Sequence, residues 1–247
     1  MLEKKDLNTN FDFTTDTPFF WDKFWDNKMG HVFVDPDKYS TTLKYYHQIL
    51  WSKQLPCGDF LDLQIGTKTE YLTWKNFRFG SDSLSTSFRY KKYEYMITKL
   101  MNSLPNYKIF IENYTHLSYT IGGFMIFPKK TWSINQARGC NPYIIDRFDL
   151  TLDCIRKYYN NENSPLFTTL KNNKNFFDLF IDFQGFVDFF FLQDLVSNDY
   201  NTIIFWLGNG INEKYPFPKT VDEYLLWINN QLTFIDKRNK RIANYIK

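Results

Sequence analysis

The sequence predicts a mainly helical α+β fold, one compact domain with a small mixed or antiparallel sheet. Three observations carry this. Apolar residues recur at helical spacing in "NPYIIDRFDLTLDCIRKYY" (141–159) and again from Val221 onward. Short β-rich runs gather instead between 55 and 83, punctuated by Gly58, Gly66 and Gly80. The chain has 247 residues, 43% hydrophobic and 20% aromatic, so it can bury a large core and lies far from the composition of disordered chains.

The elements follow in order. Residues 1–247 are expected to form a single domain, with 1–35 a poorly ordered or variable N-terminal extension. After the turn at Asp35-Pro36, Ser40 or Thr41 caps a helix with Leu43, Tyr46, Ile49 and Leu50 at core spacing. Strands then occupy "LPCGDFLDLQIGTKTEYLTWKNFRFGSDS". "SFRYKKYEYMITKLMNSLP" is an amphipathic helix that stops before Pro105. "YKIFIENYTHLSYTIGGFMIFP" reads as two strands, with Gly122-Gly123 permitting a bulge or a close backbone approach. Asn141 caps the next helix, with Pro142 at its first position. Shorter helices cover 165–171 and 175–197, the latter interrupted near Gly185. "TIIFWL" (202–207) fits a buried strand. The last helix carries Tyr224, Leu225, Ile228, Leu232 and Ile235.

Charge and cysteines narrow the function classes. A net charge of +3 falls short of a dedicated nucleic-acid binder, although "DKRNKR" and "FPKK" are local basic clusters. Cys57, Cys140 and Cys154 form no zinc spacing, and a sparse, odd count points to reduced thiols and a cytoplasmic location. The N-terminus lacks the apolar run of a signal peptide. Residues 175–196 are apolar enough in length to span a bilayer, but each central Asp would cost about 2.5–3.5 kcal/mol there. No membrane association is expected.

Candidate site residues come from charge in context. Only seven of the 30 basic residues are Arg, so an Arg that persists is one whose planar fork is needed. Arg138 stands just before the expected helix start at Pro142, where free backbone N–H groups and the Arg fork would favour an anion. Asn135 would orient that anion, and Arg147 lies close by. In "HQILWSKQLPCGDF", Trp51 is a candidate stacking platform and Lys53 an anion contact, while His47 reads as a satisfied core histidine. The segment "NFFDLFIDFQGFVDFFFLQDLV" sets Asp178, Asp182, Asp188 and Asp194 among apolar residues, with no basic residue between Lys174 and Lys214. Unpaired buried carboxylates are costly, so these are expected to pair with Arg138, Arg147 or Arg156. Asp146, Asp182 and Asp188 are the candidate catalytic acids. No metal or cofactor is assigned, because neither a metal-ligand pattern nor a nucleotide-binding glycine loop is present.

The ordered set "FDFTTDTP", "STTLKYYHQILWSKQLPCG", "SDS", "YTIGGFMIFP", "INQARG", "DRFDLTLDCIRKYY", "SPL", "DFQGFVDFFFLQDLV" and "FIDKRNKRIA" resembles an uncharacterised bacterial protein family, largely of firmicutes, over nearly the whole chain. The resemblance implies a single bacterial cytosolic domain and carries no activity. It places Asn135, Arg138, Asp146, Arg147, Asp149, Asp182, Asp188, Gln193 and Asp194 inside family motifs.

Two functional classes remain. The first binds or processes a phosphate-bearing ligand, a nucleotide or nucleic-acid end, at an Arg/Asp pocket. The second is a non-catalytic module that binds a protein partner or a second copy of itself, with a purely structural Asp–Arg network. A concave polar pocket favours the first, and a contiguous exposed aromatic patch the second.

Overall fold

The computed structural model describes residues 3–16, 36–67, 70–85, 98–99, 102–129 and 133–247. Most of the helix expected over 87–104, and residues 17–35 of the expected extension, lie outside them. Ser40 accepts from the Leu43 amide at 2.9 Å and starts helix α1, Thr41–Trp51, as its sequence signalled. This helix buries Leu43, Tyr46, His47, Leu50 and Trp51. The β-rich region supplies β1 (Gln64–Ile65), β2 (Leu72–Trp74) and β3 (Phe77–Ser83), and β4 (Phe124–Pro128) pairs with β3. All pairings are antiparallel, in the order β1-β2-β3-β4. Side chains alternate along a strand, so Ser81 and Asp82 of β3 serve opposite faces of the sheet.

Between β3 and β4 the sequence reading of two strands holds only for the second. Tyr107–Ser118 is a helix, α2. Phe110, Tyr114 and Leu117, spaced four and three apart, form a stripe packed on the core. That tertiary fit overrides the β preference of "YKIFI". The glycine pair permits close approach rather than a bulge. A Cβ on Gly122 would stand 2.5 Å from the Ile235 carbonyl oxygen, and the Gly122 amide donates to Asn239 Oδ1 at 2.7 Å.

Ile134–Cys140 forms a short helix, α3, begun by a Ser133–Gln136 capping box. Asn141 therefore ends a helix instead of starting one. Its side chain accepts from the Tyr143 amide at 2.9 Å, its carbonyl accepts from Ile144 and Ile145, and the chain turns until α4, Phe148–Tyr159. The expected helix start at Pro142 is thus a turn. Ile145 and Asp146 within it adopt left-handed conformations, φ 47° and 66°. Helix α5 spans Phe167–Asn172, and a single helical turn covers Lys174–Phe177. The predicted break near Gly185 falls at Ile181, φ 68°, after which Asp182 caps α6, Phe183–Phe189, by accepting from the Gly185 amide at 2.7 Å.

"TIIFWL" does not form a strand and makes only one bridge, Val196 to Ile203. Thr202 and Ile204 bond to the backbone of 195–197, but the end of the segment is held by buried side chains: the Trp206 amide donates to Asp149 and the Leu207 carbonyl accepts from Arg147. The last helix, α7, runs Val221–Ile246 and buries Trp227, Ile228, Phe234, Ile235 and Ile242. At the centre Phe180, Phe186, Phe189 and Phe190 pack with ring centroids 4.9–5.4 Å apart. No described helix is long and apolar enough to cross a membrane.

Candidate functional site

The two faces of β3 carry two different polar systems. On the Asp82 side, Arg138 of α3 is fully buried. Its Nη1 donates to Asp82 Oδ2 at 2.5 Å and to the Ser83 carbonyl at 3.1 Å; its Nη2 donates to the Asp146 carbonyl at 2.8 Å. Nε reaches Thr151 Oγ1 at 3.3 Å and lies 3.4 Å from Asp146 Oδ1. Burial pushes the Asp82 carboxyl up to about 6 against the pull of Arg138. The fork that could have held a ligand is filled by the protein itself.

Arg147 is used in the same way. Nε and Nη2 grip Asp149 at 3.2 and 2.5 Å, while the Pro216 and Leu207 carbonyls take its other protons at 3.0 and 2.7 Å. This pins the irregular segment 202–217 onto α4. Arg238 of α7 is also fully buried and donates to the Phe190, Gly122 and Phe124 carbonyls, with no carboxylate in ion-pair range among the described residues.

The acids of 178–194 find other partners than those expected. Asp178 pairs with Lys174, one helical turn earlier, at 2.6 Å. Asp182 is a helix cap, and Asp188 accepts from Gln193 and Tyr200, each at 2.8 Å. Asp194 pairs with Arg241. None meets Arg138, Arg147 or Arg156; the last holds Asp153 at 3.0 Å. Asp178 and Asp182 stand at the solvated edge of the segment, and of the four acids Asp194 alone takes an arginine, Arg241 of α7, among the described residues. Nor do Asp146, Asp182 and Asp188 converge: no group of three metal-binding side chains comes together among the described residues.

Trp51 belongs to the core and Lys53 packs on its aromatic rings, so neither lines the cavity described below. Lys53 Nζ donates to the Phe189 carbonyl at 2.6 Å and stands 4.1 and 4.3 Å from the Phe191 and Phe189 ring centroids. Burial, then Lys4 and Arg238, lower its ammonium to about 7. The Trp51 indole donates to His47 Nδ1 at 2.8 Å.

On the Ser81 side lies a cavity of about 620 Å³. Among the described residues, α1 contributes Lys44, the sheet Tyr71, Ser81 and Lys129, α3 Asn135, and the turn before α1 Asp37 and Lys38. Lys44 Nζ makes long hydrogen bonds, 3.4 and 3.5 Å, to the Glu70 and Gly66 carbonyls and stands 5.5 Å from the Tyr71 ring centroid, and burial lowers its pKa. Neither it nor Lys129 has a carboxylate in ion-pair range among the described residues; Glu70 is held by Arg78 at 2.8 Å. Asn135 donates from Nδ2 to the Ser81 carbonyl at 3.2 Å, while its Oδ1 has no partner among the described residues. The Tyr71 hydroxyl is buried beside Ser81 without a hydrogen bond of normal geometry, and burial raises it well above the usual tyrosine value.

Of the predicted ligand-binding residues, then, only Asn135 lines the cavity. Lys44, Asp37 and Tyr71 escaped the sequence reading. The signals that existed were indirect: Lys129 sits in the basic run "FPKK" and Ser81 in "SDS". Neither a curated protein nor a solved structure matches the chain. A family model does, over residues 7–242, and the chain belongs to that family, DUF6994, a family of unknown function.

Proposed function

We propose that the protein binds a small phosphate-bearing ligand, a nucleotide or nucleic-acid end, in the cavity beside Ser81 rather than at the arginines. The observation that carries this is the pair Lys44 and Lys129, two lysines that line the cavity without carboxylate partners among the described residues. A half-buried ammonium with long hydrogen bonds to two carbonyls is under-compensated, and an anion restores the balance. The volume, about 620 Å³, sits in the range of small-molecule sites and far exceeds what inorganic phosphate would fill.

Thermal shift followed by calorimetry against nucleoside monophosphates and short oligonucleotides tests this. A ligand at 100 times its dissociation constant adds about 2.7 kcal/mol of stability. The wild type should shift, and Lys44→Met, folded at baseline, should not. Absence of a shift with every probe removes the reading.

A second reading, docking of a protein partner or a second copy, draws support from Ile181. This β-branched residue is held at φ 68° with its side chain 64% exposed, an arrangement whose strain the fold must offset elsewhere. Sedimentation of the wild type against Ile181→Gly separates the two readings.

A further inference from the structure

Three cations meet around Trp51 and Tyr245 without a carboxylate. Lys53 Nζ stands 4.1, 4.3, 4.9 and 5.3 Å from the ring centroids of Phe191, Phe189, Tyr245 and Trp51 and donates to the Phe189 carbonyl at 2.6 Å. Lys4 uses the same Tyr245 ring: its Nζ donates to the phenol oxygen at 2.6 Å and stands 3.9 Å from the centroid. Sharing one ring puts the two nitrogens closer than a Debye length, about 10 Å in 0.1 M salt. Arg238 approaches Trp51 too, its guanidinium carbon 5.6 Å from the ring, and donates to the Phe190 carbonyl, next to the one Lys53 uses. Its Nη2 is buried with no hydrogen-bond partner. His47, bonded to the Trp51 indole, is buried and neutral. Neither Lys4, Lys53 nor Arg238 makes an ion pair among the described residues.

Such a cluster disfavours its own third charge. Desolvation, then Lys4 and Arg238, bring Lys53 down to about 7, so much of it is free amine at neutral pH. A free amine is a nucleophile. Its nitrogen is half-buried among the rings, so a small, uncharged electrophile reaches it more readily than a bulky or anionic one. The group the cluster lacks is an anion, so the favoured product is anionic. Carbon dioxide meets both conditions. We propose that Lys53 is a carbon dioxide site, whose free amine adds CO2 reversibly to form a carbamate that faces Lys4. The Nζ lone pair attacks the carbon, the π electrons of one C=O bond move onto its oxygen, and one N–H proton leaves to solvent. The N–H that remains keeps the Phe189 carbonyl as its acceptor, and the new carboxylate supplies the counter-charge for Lys4 and Arg238. The site is separate from the cavity beside Ser81 and does not depend on the phosphate-binding reading.

The test incubates the full chain with carbon-13 bicarbonate at neutral pH, traps carbamates as ethyl esters with triethyloxonium ion, and maps the label by peptide mass spectrometry. An ordinary lysine keeps its amine protonated at that pH, so label at Lys53 should exceed that at any other lysine by about tenfold or more. The carbon-13 carbamate resonance should disappear when the chain is unfolded in urea and be absent from Lys53→Arg. Lys4→Met should lower its occupancy, because the carbamate loses its counter-charge. Label spread evenly over the lysines, or confined to the α-amino terminus, overturns the proposal. So does a wild type that forms no carbamate at any bicarbonate concentration, which would mean that the ring faces hold Lys53 as an ammonium. Those readings come from the wild type and need no variant to fold.

Discussion

Ser81 and Asp82 are neighbours on one strand, yet the molecule uses them for opposite purposes. Asp82 faces the α3–α4 side, where Arg138 closes over it and each nitrogen of the guanidinium donates to an acceptor. Ser81 faces α1, where Lys44 and Lys129 make no ion pair among the described residues and border an open volume. The planar fork of Arg suits it to several fixed carbonyls and carboxylates at once, which makes it a strut. The flexible, strongly hydrated ammonium of Lys makes a poorer strut, and in the proposed function it is the group that meets the ligand. The same formal charge thus marks the fold on one face and the candidate site on the other.

The largest expected effect breaks the strut side. Arg138→Ala or Arg147→Ala leaves a buried carboxylate uncompensated and should cost about 3–5 kcal/mol, read as a fall in the urea midpoint. Arg147→Lys should recover only part of that loss, since one ammonium cannot reach both Asp149 oxygens and two carbonyls. A full recovery would show that charge rather than fork geometry matters there.

His47→Leu sharpens the other side. It strands the buried Trp51 indole N–H, and such a donor costs about 1–3 kcal/mol. His47→Gln, which can offer an acceptor, should cost less in the same melt. If the two variants melt together, the indole bond contributes nothing.

A pH profile probes the aromatic end of the core. Lys53 releases its proton near 7 when folded, against the ordinary 10.5 in the unfolded chain. Between those values the unfolded state binds more protons, so stability should rise with pH from about 7 toward 10.5. Lys53→Met should flatten that rise. An unchanged slope in the variant would show that the ring faces and the Phe189 carbonyl hold the ammonium charged after all.

The smallest effects belong to the acids of 178–194. Asp182→Ala removes a helix cap, worth about 0.5–2 kcal/mol. Asp194→Ala loses its partner Arg241 and should cost about 0–1 kcal/mol, and Asp178→Ala, which breaks a solvent-screened pair with Lys174, should leave the melt unchanged. Losses of several kcal/mol at these positions would show the segment to be buried more deeply than its partners imply.

What the sequence by itself determined is local. Ser40 capped α1, and the stripe Tyr224, Ile228 and Ile235 specified α7, because caps and helical periodicity are written in residues within a few positions of one another. The sequence also marked the arginines as special, for the right reason, the fork, though not for the right use. What only the tertiary structure decided was every long-range pairing. Asn141 could cap a helix or turn a chain, and the Ile144 and Ile145 amides bonding back to its carbonyl chose the turn. "TIIFWL" had the residues of a strand, but Arg147 and Asp149 take the backbone groups at its end, the Leu207 carbonyl and the Trp206 amide. Lys44 looked like any solvated lysine of an amphipathic helix until β3, β4 and α3 closed a cavity around it. A side chain's own chemistry is legible in one residue, but whether its partner is protein, water or ligand depends on what the rest of the chain brings to it.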